Sequence, residues 1–418
     1  MNGRAWALTL TVAIALFAGS FILLHAGWYE HRGLTDVPVY QHYGQLLRDG
    51  HVPYRDFSVE YPPAALPAFV LPTFMPWSYA TSFAVLMFVC GIGCLIAAAV
   101  VLDSVDAGAA HILLALGLVA VAPLALGTLF DTRFDLWPVA LTLAALAALL
   151  RDRAGLAGLL LGLAVAAKLW PLVLAPIGLA YVWRRLGRHA AFVGTLSFVA
   201  AAAFCVVPFA VLAPGGVWHS LTEQLRRPLQ VESLGASLLM AAHHIGGLSL
   251  TTVTTHGSQN LAGSLPAAVG AATTALQIAA LVGIWIAFAL RPEPSGTAML
   301  VACAAALAVF VAFGKVFSPQ FLIWLVPLVP LVRGRRGLAA SALLVAALVL
   351  TQVWFADHYW PLALRYASPW SWLVLLRDLA VVALAVVLVR PAPPESELAG
   401  THRARLAALE AIRPHGSI

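Results

Sequence analysis

The sequence predicts an all-α polytopic membrane protein, a bundle of about twelve spanning helices, and three observations carry that prediction. Of 418 residues, 61% are hydrophobic and only 10% are charged, against about 25% charged in soluble domains. Apolar stretches long enough to cross a bilayer recur from end to end, separated by short polar breaks. The basic residues at those breaks collect on alternate ends of successive stretches. The net charge of +6 therefore records orientation in a membrane and does not suggest nucleic-acid binding.

Spans are expected near 5–26, 79–102, 108–129, 135–150, 154–168, 170–183, 189–212, 266–290, 297–313, 319–332, 337–355 and 370–390. The first, in "MNGRAWALTLTVAIALFAGSFILLHAG", is too long for a signal peptide and lacks a small-x-small cleavage site, so it reads as a retained helix. With these spans, Arg4, Arg151, Arg153, Arg184, Arg185, Arg188, Arg291, Arg333, Arg335, Arg336 and Arg390 fall on one face. The positive-inside rule makes that face cytoplasmic, with both termini, in a plasma (inner) membrane. The opposite loops are longer and hold most of the acids, histidines and tryptophans. Chemistry is expected there, outside the cell.

Residues 1–390 read as one transmembrane domain, with a first outer loop over 27–78 and a second over 213–264. Residues 391–418 begin Pro-rich, "PAPPESELAG", and continue as an amphipathic pattern, a cytoplasmic tail. The stretch "RDRAGLAGLLLGLAVAAKLWPLVLAPIGLAYVWRR" has basic residues at both ends, too long for one span and short for two. Two abbreviated helices broken at Lys168-Trp170-Pro171 satisfy both constraints, because proline cannot continue a helix. "FGKVFSPQFLIWLVPLVPLVRGRR" repeats the device at Lys315 and Ser318-Pro319. Broken helices at membrane depth survive where they line a cavity or pack against protein.

In the first outer loop "PVYQHYGQLLRDG" has a helical pattern, with Val39, Tyr40, Tyr43, Leu46 and Leu47 on one face and Gly50 as a stop. Thr35 or Asp36 would cap it, Pro38 opens it, and its tyrosines would sit at headgroup level. The following run, Ala64 to Phe74, is cut by Pro67 and Pro72 and is too short to span, so it is expected to be re-entrant or packed on the bundle.

Each chemically capable residue has a plain alternative. Asp36 is a natural N-cap, and a carboxylate at a helix start is also stabilised as the anion that a general base must be. Lys168 and Lys315 could snorkel to water, yet two lysines at proline-broken ends point to a site, and converging lysines and arginines suit a phosphate. Asp131, Arg133 and Asp135 in "LFDTRFDLWP" read equally as a local ion network or a cation site. Asp56 and Glu60 read as partners of Arg55 or Arg48. Glu232, in the polar run with His219, Arg226, Arg227 and Gln230, reads first as a solvated loop acid. Cys90 and Cys94 share a helical face without a His or acid beside them and read as packing. His243 and His244 are adjacent and point apart on a helix, so joint metal ligation is not expected. No glycine-rich phosphate loop or metal motif is present, and no cofactor and no metal are expected.

Taken together, these motifs resemble glycosyltransferase family 87, the polyprenyl-phosphate-sugar-dependent mannosyl- and arabinosyltransferases of GT-C type. "DVPVYQHYGQLLRDGHVPYRDFSVEYPPAALPAFVLP" is similar to that family's first outer loop, with Asp36, Tyr40, Gly50, Tyr54 and Tyr61-Pro62-Pro63 in place. "GLLLGLAVAAKLWPLVLAP" resembles its Lys-x-x-Pro helix, at Lys168 and Pro171, and "KVFSPQFLIWLVP" its Ser-Pro-x-x-x-x-Trp-x-x-Pro helix, at Ser318, Pro319, Trp324 and Pro327. "VESLG" departs from the family's Asn-Gln-Ser-Leu-x-Gly, placing Glu232 where an amide is usual.

The resemblance implies a GT-C-like bundle that moves mannose or arabinofuranose from a polyprenyl-phosphate donor to a lipid or glycan acceptor, with inversion. Asp36 would be the general base. Lys168, Lys315, Arg226 and Arg227 would neutralise the donor phosphate, while Tyr40, Tyr54, Tyr61, Trp170, Glu232 and Ser318 would bind sugar and acceptor. The rival reading is a transporter or flippase of lipid-linked sugars, since broken helices also mark transporters. Polar residues gathered on one face and the lack of an evident inverted repeat oppose it.

Overall fold

The computed structural model describes residues 3–29 and 34–390; the expected tail over 391–418 lies outside them. Contacts divide the chain after Leu388, and the architecture below is that of the first unit. Helix α1, Gly3–Leu23, has 21 residues, about 32 Å at 1.5 Å per residue, enough to cross hydrocarbon. Helix α2, Val37–Arg48, opens with Pro38 in its first turn. Its buried face is Val37, Tyr40, Tyr43 and Gly44, and Val39 is 44% exposed, so the expected face was rotated by part of a turn. The reason is its neighbour. Prolines shorten the next run to α3, Leu66–Val70, between 3₁₀ turns, and buried Phe69 stacks on the Tyr40 ring at 4.7 Å. Tyr40 and Tyr43 are therefore buried in the protein and are not at headgroup level.

Three helices follow: α4, Tyr79–Ser104, capped by Ser78; α5, Ala109–Leu126; and the single turn α6, Leu129–Thr132. Helices α7, Leu136–Leu150, and α8, Ala154–Ala167, are short, and the chain breaks at Lys168 as the proline spacing predicted. Helix α9, Ala175–Leu212, is bent at Gly187, whose φ of 86° lies outside the helical region and is open to glycine at no steric cost. The bend folds the second half of α9 back on α8. The contact is backbone to backbone: a Cβ on Gly158 would lie 2.0 Å from the Gly194 carbonyl oxygen, and one on Gly162 2.4 Å from that of Phe198. Small residues four apart let helices approach this closely where lipid offers no hydrophobic drive. Away from that contact α9 exposes Phe204, Val207 and Val211, the surface expected of a lipid-facing helix.

Helix α10, Pro214–Arg226, leads into a three-stranded antiparallel sheet of β1, Leu229–Gln230, β2, Thr251–Thr255, and β3, Ser258–Ala262, ordered β1-β3-β2. Helix α11, Leu234–Gly246, is inserted between β1 and β2. This sheet is an addition that the all-α prediction did not contain. The chain ends with α12, Ser264–Ala289; α13, Gly296–Ala312; the short α14, Leu322–Leu325, flanked by 3₁₀ turns; α15, Gly334–Arg365; and α16, Ser368–Val389. Seven segments among the described residues are long and apolar enough to cross a membrane. One of the seven, the bent Trp170–Leu212, covers two expected spans, and the shorter Leu136–Leu150, Ala154–Ala167, Gly296–Ala312 and Pro319–Leu331 fill the remaining expected positions.

The bundle has two chemically distinct ends. At one, Arg151 pairs with Asp103 at 3.6 Å and Arg185 with Asp152 at 2.7 Å. Arg184 donates to the Ala289 carbonyl at 3.1 Å and Arg333 to that of Val105 at 2.8 Å. The basic residues thus fasten the ends of α4, α7, α9 and α12 together. The opposite ends of those helices, with the loops around them, carry the acids and lysines singled out by the sequence.

Candidate active site

The segment that organises this end is "LFDTRFDLWP". After α6 the backbone turns extended at Arg133 (φ −119°, ψ 139°), which sends the three charged side chains to separate neighbours. Asp131 faces His25 Nε2 at 3.4 Å. Arg133 forms an ion pair with Asp36 and donates from Nη2 to the Leu34 carbonyl at 3.0 Å. Asp135 accepts from Lys168 Nζ at 2.6 Å and from the Trp324 indole. The three side chains pair with residues of other elements, and no cluster of three metal-ligating side chains occurs among the described residues.

Asp36 occupies the N-cap position of α2 but its side chain makes no capping bond; Thr35 Oγ1 instead accepts from the Val37 amide at 3.1 Å. The carboxylate is held by Arg133 from within and by the Tyr40 hydroxyl, which donates at 3.3 Å. Its side chain is 32% exposed while that of Arg133 is 7%. Asp36 is thus reachable from outside and backed by a buried cation. Tyr40 and Tyr61 form the wall beside it, with Tyr61 edge-on to Phe134 at 4.8 Å. Tyr54 is buried, and its hydroxyl donates to the Tyr61 carbonyl at 2.6 Å, so it positions that turn and does not face the opening.

Lys168 is committed differently from expectation. Its ammonium is 13% exposed against a fully buried Asp135 and lies 4.7 Å from the Phe134 ring centroid and 5.4 Å from that of Trp324. Trp170 is buried, stacked on Trp324 at 5.1 Å. The break after α8 is therefore locked into the core, and Trp170 packs there rather than lining a sugar wall.

Glu232 is a second correction: it is 1% exposed, not a solvated loop acid. It sits between β1 and α11, accepts from the Gln230 amide, and its carbonyl accepts from Arg377 Nη2 at 2.6 Å. Burial raises its carboxyl to about 8, against the lowering pull of Arg377, Arg227 and Arg133. Arg227 bonds to the His256 carbonyl at 3.0 Å and to Ser258 at 3.1 Å, and its Nε is buried without a partner. Arg226 is exposed at the end of α10. Lys315 donates to the Leu225 carbonyl at 2.8 Å, and burial lowers its pKa. Ser318 begins the 3₁₀ turn before α14 without capping it. Glu232, Arg227 and Arg133 thus share one electrostatic neighbourhood with Asp36 at its open edge.

Three functional candidates were missed by sequence reasoning. Arg133 and Asp135 were weighed without their partners. Arg377, fully buried beside Asp378 at 2.9 Å and over the Phe317 ring at 3.8 Å, was visible as a charge inside a span. Charges at that depth default to functional hypotheses. Asp56, by contrast, pairs with Arg55 at 2.9 Å as expected, while Arg48 turns to the Thr73 carbonyl. Cys90 and Cys94 are buried and free. His243 bonds to the Leu248 carbonyl and His244 to Ser371, but their rings meet edge-on at 5.2 Å, so they do not point apart as expected.

The family model described as glycosyltransferase family 87 matches residues 59–319, more than half of the chain. The matched segment takes in Tyr61, Lys168, Arg226, Arg227, Glu232, Lys315 and Ser318, and begins after Asp36, Tyr40 and Tyr54. No curated protein matches. Among solved structures, ArnT from Cupriavidus metallidurans bound to undecaprenyl phosphate matches with 14% identity and a TM-score of 0.48, covering 93% of this chain and 77% of that one.

Proposed function

The chain belongs to glycosyltransferase family 87, and on that premise we propose that it moves mannose or arabinofuranose from a polyprenyl-phosphate donor to a lipid or glycan hydroxyl. The family match favours transfer over the transport reading. The observation that carries the finer proposal is Asp36: a partly open carboxylate, unused as a cap, beside the Tyr40 hydroxyl and a buried arginine. We place this end of the bundle outside the cell, because the basic residues fasten the other.

In this reaction the acceptor oxygen attacks the anomeric carbon from the face opposite the phosphate. The carbon–oxygen bond to phosphate breaks, the polyprenyl phosphate leaves as an anion, and Asp36 takes the acceptor proton. A phosphate leaving group needs no protonation, so a single carboxylate suffices where hydrolases use two. Arg227 and Lys315, with Arg226 at the rim, would receive the charge that develops on the leaving phosphate, where stabilisation accelerates the chemical step. Lys168 would contribute through the fixed field of its pair with Asp135. Tyr61 and Ser318 would face sugar and acceptor, with buried Tyr40 and Glu232 behind them, Tyr40 acting through its bond to Asp36. An apolar cavity of about 100 Å³ lined by Tyr54, Pro62, Val165, Leu169 and Val206 supports a lipid-borne donor, since it opens beside the same break.

The test is turnover of radiolabelled polyprenyl-phospho-mannose and polyprenyl-phospho-arabinofuranose by the purified protein in nanodiscs, with lipid extract as acceptor. Asp36→Asn is expected to lower transfer by about 10²–10⁴-fold while the protein still folds, because the amide oxygen can still accept from Arg133 and Tyr40 and no capping bond is lost. Equal transfer by both proteins would remove Asp36 from the mechanism.

A further inference from the structure

Arg133 raises a difficulty for the base that the geometry itself resolves. Its guanidinium grips the Asp36 carboxylate through Nη1 and the Leu34 carbonyl through Nη2, and its buried Nε has no partner. A carboxylate paired with a guanidinium is held in its anionic form and resists taking a proton. In this arrangement Asp36 is occupied. The same guanidinium is the cation nearest the base, and its fork suits a phosphate as well as a carboxylate.

We propose that Arg133 exchanges partners: the donor's phosphate draws the guanidinium from Asp36, and the base is released only when a donor is in place. The inference rests on the reading of a phosphate-bearing donor and of Asp36 as base. Three observations carry it. Asp36 is about a third exposed and Arg133 nearly buried, so an arriving anion meets the pair from the carboxylate side. Arg133 keeps its Leu34 anchor and can turn about it with one arm free. The charges that face it beyond Asp36 are Asp135 and Glu232, and Asp135 is already committed to Lys168 and Trp324.

The cycle balances in charge. The glycosyl phosphodiester carries one negative charge and competes evenly with the Asp36 carboxylate. After transfer Asp36 holds the acceptor proton and no longer competes, while the departing polyprenyl monophosphate carries more charge and holds Arg133 harder. Loss of the proton from Asp36 restores the pair and helps expel the product. With no donor bound, an idle base that could activate water is masked.

The exchange makes a prediction of unusual sign. Equilibrium binding of radiolabelled polyprenyl monophosphate, without sugar, is measured for the full-length protein in nanodiscs. Asp36→Asn, expected to lower transfer sharply, should bind this ligand about tenfold more tightly than wild type, or about 1.4 kcal/mol, because the competitor for Arg133 has lost its charge. Arg133→Gln should bind more weakly, and adding Asp36→Asn to it should then change nothing. Arg133→Lys keeps the charge without the fork and should fall between. The decision rests on Asp36→Asn, whose side chain has no capping bond to lose. Unchanged or weaker binding by Asp36→Asn, in a protein that binds the phosphate, overturns the exchange and leaves the transferase reading standing. Failure of wild type and variants alike to bind the phosphate overturns the donor reading and the exchange with it.

Discussion

Lys168→Met is expected to damage the fold before it damages donor binding. Asp135 is fully buried, accepts from the Lys168 ammonium at 2.6 Å and from the Trp324 indole, and leaves Oδ2 without a partner. Deleting the ammonium leaves a buried carboxylate with one donor, and breaking a buried pair from one side costs about 3–5 kcal/mol. The contacts with the Phe134 and Trp324 faces add about 0.5–2 kcal/mol. Asp135→Asn should cost less, about 2 kcal/mol, since the amide still accepts from Trp324 and the ammonium keeps its aromatic faces. The double variant removes both charges and should be no worse than about 2 kcal/mol, so the two changes couple by about 3 kcal/mol or more. Reversible unfolding in mixed micelles measures all four proteins. Additive losses would refute the lock. So would a Lys168→Met protein as stable as wild type that no longer binds polyprenyl phosphate, which would return Lys168 to the donor.

Two further outcomes follow from the same geometry. Burial raises the Glu232 carboxyl from 4.5 to about 8, so both folded and unfolded chains hold its proton below pH 4.5 and nothing is lost there. As pH rises from about 4.5 to 8 the unfolded chain ionises first, and the folded state loses stability on the order of a few kcal/mol. Glu232→Gln should remove that slope and be the more stable protein at pH 8; parallel melting curves against pH for the two proteins would contradict this. In the α8–α9 contact, Gly158→Ala puts a methyl 2.0 Å from the Gly194 oxygen and should cost about 1–3 kcal/mol. Gly155→Ala meets Val193 at an ordinary 3.4 Å and should unfold at the wild-type temperature, separating close approach from general glycine loss.

Helices were legible because their evidence is local: apolar runs of spanning length, prolines at Pro171 and Pro319 where a helix has to stop, and basic residues at the turns. Partnerships were not, because they are made across elements. Periodicity put Val39, Tyr40, Tyr43, Leu46 and Leu47 on one face of α2, and the shift that buries Tyr40 and Tyr43 but exposes Val39 is set by Phe69 in α3, which no pattern within α2 encodes. Lys168 stood out as a lysine at a break. Whether such a lysine meets lipid headgroups, a ligand or a carboxylate depends on Asp135, at the start of a different helix. Glu232 looked solvated because its neighbours in sequence are polar; the β1–β3 pairing and Arg377 of α16 are what cover it.

The three acids of this end would look alike in any one-dimensional reading, yet burial makes them unequal. Asp135 is 0% and Glu232 1% exposed, so a ligand could displace either carboxylate from its contacts only by opening the core, at the cost of stranding a buried charge. Asp36 is 32% exposed, so its pair can be broken and remade by a ligand without unfolding anything around it. Pairing an exposed acid with a buried arginine gives a contact firm enough to hold the base idle and open enough to be exchanged. That asymmetry, more than the identity of Asp36 alone, is what suits this end of the bundle to phosphate-gated chemistry.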